Sequence, residues 1–132
     1  MLMPTVHRYM TFDPYTVSPR DPMSAAHHLM RLHNIRHLPV VEDGKLVGIL
    51  SDRDLRLVPG ASADPHETTV TQVMTKSVFA VTPETPLDEA VQLMNTARCG
   101  SLIVMGKTGI AGILTASDAL VALTELLRRE AA

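Results

Sequence analysis

The chain has 132 residues, a net charge of −2, 45% hydrophobic residues and only 3% aromatic ones. A chain of this size buries about two-thirds of its unfolded surface without help from disulfides or metals, and the composition makes the core aliphatic. There is no basic stripe for nucleic acid, no apolar run approaching the roughly 20 residues that cross a bilayer, and, with Cys99 alone, no internal disulfide.

The predicted elements come twice. Residue i matches residue i+64 from Val6 to about Leu57: Val6 with Val70, Met10 with Met74, Val17 with Val81, Pro19 with Pro83, Met30 with Met94 and Val40 with Val104. The period is too long for a solenoid repeat and too short for two independent domains, so the halves are expected to share one core about a pseudo-two-fold axis. Each half opens with a short strand, Tyr15 to Ser18 and Phe79 to Thr82. A helix of about three turns follows, with apolar residues at Met23, Ala26 and Met30 and at Leu87, Ala90, Val91 and Met94. Thr85 is the predicted N-cap of the second helix, with Pro86 at its first position and Asp88 completing a capping box; Asp21-Pro22 serves the first helix.

A hairpin comes next in each half. Leu38-Pro39-Val40-Val41, the Asp-Gly turn Glu42 to Lys45 and the strand Leu46 to Leu50 form the first; Leu102 to Met105, Gly106 to Gly109 and Ile110 to Leu114 form the second. A helix from about Asp52 stops at Pro59-Gly60, and one from about Ala116 runs to about Arg129, where basic residues suit the negative end of the dipole. The expected fold is α/β (α+β), with two β-α-β-β-α repeats at residues 5–58 and 69–129 joined by a linker at 59–68.

Ser51-x-x-Asp54 and Thr115-x-x-Asp118 sit where strand gives way to helix. Two readings are open. A capping box satisfies both ends of each pair. A nucleotide site uses the same place, because a helix N-terminus favours phosphate and a carboxylate accepts hydrogen bonds from ribose hydroxyls. Arg36 and His37 are either an exposed basic turn or a phosphate clamp built on the planar guanidinium fork. Arg53 is either solvated or at a dimer surface, or within reach of a phosphate. No set of histidines, cysteine and carboxylates has the spacing of a tetrahedral metal site, so no metal is expected. Cys99 reads as a small buried residue, and no nucleophile with a base and an orienting group is evident, so the chain is not expected to be an enzyme.

The strings Ile35-Arg36-His37-Leu38-Pro39-Val40-Val41, Lys45 to Leu50 and Ser51-Asp52-Arg53-Asp54-Leu55 resemble the cystathionine-β-synthase (CBS) domain, and the tandem resembles a Bateman module. The second half keeps Gly112-Ile113-Leu114-Thr115 and Asp118 but has Cys99-Gly100-Ser101 where the first has the basic pair. The resemblance implies repeats packed sheet to sheet, with clefts between them for adenosine-containing ligands: AMP, ADP, ATP or S-adenosylmethionine. It implies that Asp54 and Asp118 hold ribose, that Ser51 and Thr115 lie near ribose or phosphate, and that the backbone of Val17-Ser18 and Val81-Thr82 meets the adenine edge. No cofactor is required. It also implies a homodimer through the C-terminal helices of the repeats. The function expected is a cytoplasmic regulatory module that senses adenine nucleotides, with neither nucleic acid nor membrane as a partner. The alternatives are a ligand-free scaffold for dimerisation or docking, favoured by Ile103 in place of Pro39 and by the lost basic pair, and, more remotely, hydrolysis of the bound nucleotide.

Overall fold

The computed structural model describes residues 2–57 and 64–132. In chain order the elements are α1 (Val6–Tyr9), β1 (Thr11–Phe12), α2 (Met23–His33), β2 (His37–Glu42), β3 (Lys45–Ser51), α3 (Asp52–Arg56), α4 (Val70–Val73), β4 (Ala80–Val81), α5 (Leu87–Ala97), β5 (Ser101–Gly106), β6 (Gly109–Thr115) and α6 (Ala116–Ala131). They group into two compact units: a terminal unit of Met1–Asp13 with Phe79–Ala132, and a central unit of Pro14–Val78. The end expected for the first closing helix at Pro59-Gly60 lies outside the described residues, as does the first part of the expected linker.

Each unit is built mostly from one repeat and completed by the opening segment of the other. In the terminal unit, Val6 and His7 donate their N–H groups to the carbonyls of Thr85 and Pro83 (both 2.9 Å), and Leu87 donates to Pro4 (2.8 Å). In the central unit, Val70 donates to Asp21 (2.9 Å), Thr71 to Pro19 (3.0 Å) and Met23 to Thr68 (2.8 Å). Every one of these bonds has its counterpart 64 residues away. The single shared core expected from the repeat is therefore corrected to two clusters. Val6 of α1 and Met10, its C-cap, join Leu87, Ala90, Met94, Leu102, Val104 and Leu114 in one. Val70 of α4 joins Val17, Ala26, Met30, Leu38, Val40 and Leu50 in the other.

The same exchange corrects the helix starts. α2 and α5 begin at Met23 and Leu87, with Pro22 and Pro86 as N-caps and no side-chain cap. Thr85 and Asp21 cap nothing here: they accept the N–H of Thr82 (3.0 Å) and Ser18 (2.9 Å), closing the turns before the helices. Asp88 accepts from its neighbour Glu89 (2.9 Å). A first-turn N–H left without an intrahelical partner needs an acceptor, and the backbone carbonyls of Thr68 and Pro4 supply it. The helices bury Ala26 and Met30, and Leu87, Ala90 and Met94, of the predicted stripes, leave Met23 half-buried, and end in the left-handed conformation at Asn34 and Arg98. Val91, expected on the buried face of α5, is 37% exposed.

The terminal unit holds a four-stranded sheet in the order β1-β6-β5-β4, with β4 parallel to β5. The central unit holds the β2–β3 hairpin, extended by isolated bridges from Val17 to Val40 and from Thr75 to Ile49. The strand expected at Tyr15 to Ser18 is thus reduced to one bridge. Ile103 donates its N–H to Phe79 (3.0 Å) in the terminal unit; the matching residue in the central unit is Pro39, which has no N–H to offer Tyr15. The β2–β3 turn has Asp43 and Gly44 at φ 51° and 76°, the left-handed pair that a two-residue hairpin favours.

Gly112 and Gly48 sit where the exchanged segments cross the hairpins. A Cβ on Gly112 would collide with the backbone carbonyl of Thr11, whereas one on Gly48 would meet the thioether sulfur of Met74 at 2.7 Å and the carbonyl of Thr75 at 3.0 Å. Backbone cannot give way as a flexible thioether does. Gly112→Ala is expected to destabilise the protein by about 1–3 kcal/mol and Gly48→Ala by less. Urea unfolding midpoints at unchanged slope measure this, and an equal or reversed order would contradict the contact argument.

Candidate functional site

The two strand-to-helix junctions are geometrically alike. At β3–α3, the Ser51 hydroxyl accepts the N–H of Asp54 (3.0 Å) and Asp54 Oδ2 accepts the N–H of Ser51 (2.8 Å). At β6–α6, the Thr115 hydroxyl accepts from Asp118 N–H (3.3 Å) and Asp118 Oδ2 accepts from Thr115 N–H (2.8 Å). Both capping boxes are complete. In each, the second carboxylate oxygen, Oδ1, has no hydrogen-bond partner among the described residues, and both aspartates are half-buried. Capping and ligand contact are therefore compatible at one carboxylate. The hydroxyls differ: Thr115 donates to Asp118 Oδ2 (3.1 Å), while the Ser51 O–H has no acceptor among the described residues.

The strand entry beside each junction shares one backbone frame. His37 pairs with Ser51 across β2–β3, and Arg36 C=O accepts the N–H of Asp52 (2.8 Å). Ser101 pairs with Thr115 across β5–β6, and Gly100 C=O accepts the N–H of Ala116 (3.0 Å). On this common frame the side chains diverge. Arg36, His37, Asp52 and Arg53 in the central unit stand where Gly100, Ser101, Ala116 and Ser117 stand in the terminal unit. His37 is half-buried, and burial holds its pKa below the ordinary value of 6.5; Asp54 and Asp52 pull it upward and Arg36 pushes it further down. Arg36 and Arg53 are exposed and unpaired among the described residues, whereas Arg56 meets Asp52 at 3.3 Å.

Val17, Ser18, Val81 and Thr82 lie elsewhere on each sheet. Val17 pairs with Val40 and Val81 with Val104, three residues along the strand from His37 and Ser101, about 10 Å away. Their N–H groups are largely engaged. Val17 donates to Pro39 C=O (3.1 Å), Ser18 to Asp21 and Thr82 to Thr85. Their carbonyls keep a second lone pair. Asp21 and Thr85 hold these turns, a role their cap-like position in the sequence does not reveal, although each stands three residues after its donor, the spacing also seen at Ser51-x-x-Asp54. Cys99 is half-buried against the terminal-unit core. Among the described residues no cluster of His, Cys, Asp and Glu could hold a metal ion, and no helix is long and apolar enough to cross a membrane.

A family model described as the CBS domain matches twice, at residues 6–59 and 70–125. The CBS domain-containing protein YhcV of Bacillus subtilis is 34% identical over 88% of this chain and 83% of its own length. A Vibrio cholerae protein provisionally assigned to acetoin utilization (AcuB) is 35% identical and superposes with a TM-score of 0.84, covering 99% of this chain and 98% of that one. The CBS domain pair of protein MJ0100, solved with 5-methylthioadenosine and S-adenosyl-L-methionine, is 25% identical with a TM-score of 0.79, covering 90% and 98%. The chain also matches inosine-5'-monophosphate dehydrogenases, of which it spans about a fifth of the length: 21% for that of Thermoplasma acidophilum.

His37 fixes a pH dependence. Its folded pKa is lowered, so between that value and 6.5 the unfolded chain binds more protons at this site than the native one. The stability it contributes is full above 6.5 and is lost as pH falls through that window. Thermal midpoints followed downward from neutral pH should therefore fall more steeply for the wild type than for His37→Gln; parallel curves would refute the assignment.

Proposed function

The chain belongs to the CBS-domain family as a tandem pair of repeats, and from that premise we propose that it is a regulatory, non-catalytic module that senses adenine nucleotides. The observation carrying this reading is the pair of completed Ser/Thr-x-x-Asp boxes, each with one carboxylate oxygen left over. In this reading the repeats run over 5–58 and 69–129, Asp54 and Asp118 accept ribose hydroxyls beside Ser51 and Thr115, and Arg36, His37 and Arg53 attract phosphate. The carbonyls of Val17-Ser18 and Val81-Thr82 accept from the exocyclic amine of adenine. The complex of the MJ0100 pair with two adenosine compounds supports the adenosyl moiety as the common element of recognition. The unequal charge of the two strand entries favours phosphate at the first repeat, and S-adenosylmethionine is the alternative ligand.

A ligand-free scaffold is the second reading. It is favoured by the engaged N–H groups of Val17, Ser18 and Thr82 and by the internal Thr115–Asp118 bond. Excess absorbance at 260 nm in the purified protein would count against it. Isothermal titration with AMP, ADP, ATP and S-adenosylmethionine tests the main reading, and absence of both heat and thermal shift with all four refutes it. With binding in hand, Asp54→Ala should weaken affinity by about 1.5–3 kcal/mol, the range for a hydrogen bond to a charged group. A pure cap would lower stability by about 1 kcal/mol at unchanged affinity. Unaltered affinity in both Asp54→Ala and Asp118→Ala removes the ribose role.

We also propose a homodimer in the cytoplasm, built through the helices that close the repeats. On α6, Leu120 is 62%, Leu123 46% and Leu127 59% exposed, a stripe that association would cover. Light scattering should give twice the 14.4 kDa chain mass, falling to the monomer for Leu123→Glu. A monomeric wild type refutes the dimer, and a Leu123→Glu dimer moves the interface off α6.

A further inference from the structure

Among the described residues of the two hairpins, His37 is the one titratable residue paired across the sheet with the N-cap of a capping box. Five of the six histidines, His27, His28, His33, His37 and His66, fall in the central unit, and His7 alone in the terminal one. Of the five, His37 is the one paired across the sheet with Ser51, and its counterpart in the terminal unit is the non-titrating Ser101. The charged groups acting on the ring are Asp54 and Asp52 from α3 and Arg36 from the segment entering β2; β3 presents the uncharged Ser51. The ring is half-buried, and among the described residues its nitrogens make no hydrogen bond. Burial disfavours the protonated form of such an imidazole, and a further anion arriving beside its free nitrogens favours that doubly donating form.

We infer that a phosphate-bearing ligand binds at the central unit together with one proton, taken up by His37, so that its affinity rises as pH falls. This rests on the reading of Arg36 and His37 as the phosphate-facing pair. The proton comes from solvent and is released when the ligand leaves. An adenosine compound without phosphate binds without this uptake. The chain thereby reports the product of nucleotide and proton concentrations, and does so through one repeat only.

Calorimetric titration of the full chain with AMP in buffers of different ionisation enthalpy counts the protons taken up. The phosphate of AMP itself titrates at roughly pH 6, so the quantity read is the difference between wild type and His37→Gln with the same ligand. The wild type should take up more protons than the variant. Its affinity advantage should also grow as pH falls below neutrality, by up to about tenfold per pH unit for one coupled proton, and adenosine should give no difference. Equal uptake with AMP bound overturns the coupling and leaves nucleotide binding standing; no AMP binding at any pH overturns both. The His37 ring proton resonance in the wild type gives a readout independent of the variant. Its titration should move to higher pH when AMP is added, and an unmoved titration overturns the inference.

Discussion

The rest of the structure depends on a reciprocal backbone exchange. The first turn of α5 needs an acceptor, and Pro4 provides it; the first turn of α2 finds the same in Thr68. In return, the N–H groups opening α1 and α4 are received by the carbonyls of the turns before α5 and α2. These are the groups a helix terminus leaves unpaired, so the exchange satisfies both partners. It also brings Val6 and Met10 into one cluster, and Val70 into the other, whose remaining buried residues come from the other repeat. Neither repeat completes its own core. Contacts of such sequence separation close long loops, which slows folding more than it alters stability.

The exchange sets the site by fixing the sheets. Gly48 and Gly112 admit the crossing segments, and the hairpins they belong to end at Ser51 and Thr115. There both units present the same frame: a carbonyl of the strand entry receives the first N–H of α3 or α6, and an aspartate three residues past the cap returns to the cap's own N–H. The two repeats share the frame and differ in side chains that the frame does not need. Arg36 and His37 contribute no backbone bond that Gly100 and Ser101 fail to make, so charge changed at one entry without disturbing the fold. Tyr9, which hydrogen-bonds Glu125, plays a similar bracing part in the terminal unit by tying the exchanged α1 to α6.

Local features can be read from the order of residues alone. The hairpin turns, the buried stripes of α2 and α5, and the boxes at Ser51-x-x-Asp54 and Thr115-x-x-Asp118 were all legible, because each depends on residues a few positions apart. The family was legible for the same reason, since its motifs are short strings repeated at a fixed period. Tertiary structure decided the rest. Thr85 and Asp21 carry the composition of caps yet close turns, because the helix N–H groups are met by carbonyls far away in the chain. The strand at Tyr15 to Ser18 was lost to Pro39, whose missing N–H matters only once the two segments are neighbours. Spacing placed His37 beside a candidate site but could not set its charge, because burial and the company of Asp54, Asp52 and Arg36 are properties of three dimensions. Pattern specifies which groups can pair within a turn or a hairpin, whereas solvation and long-range acceptors exist only after the chain has folded.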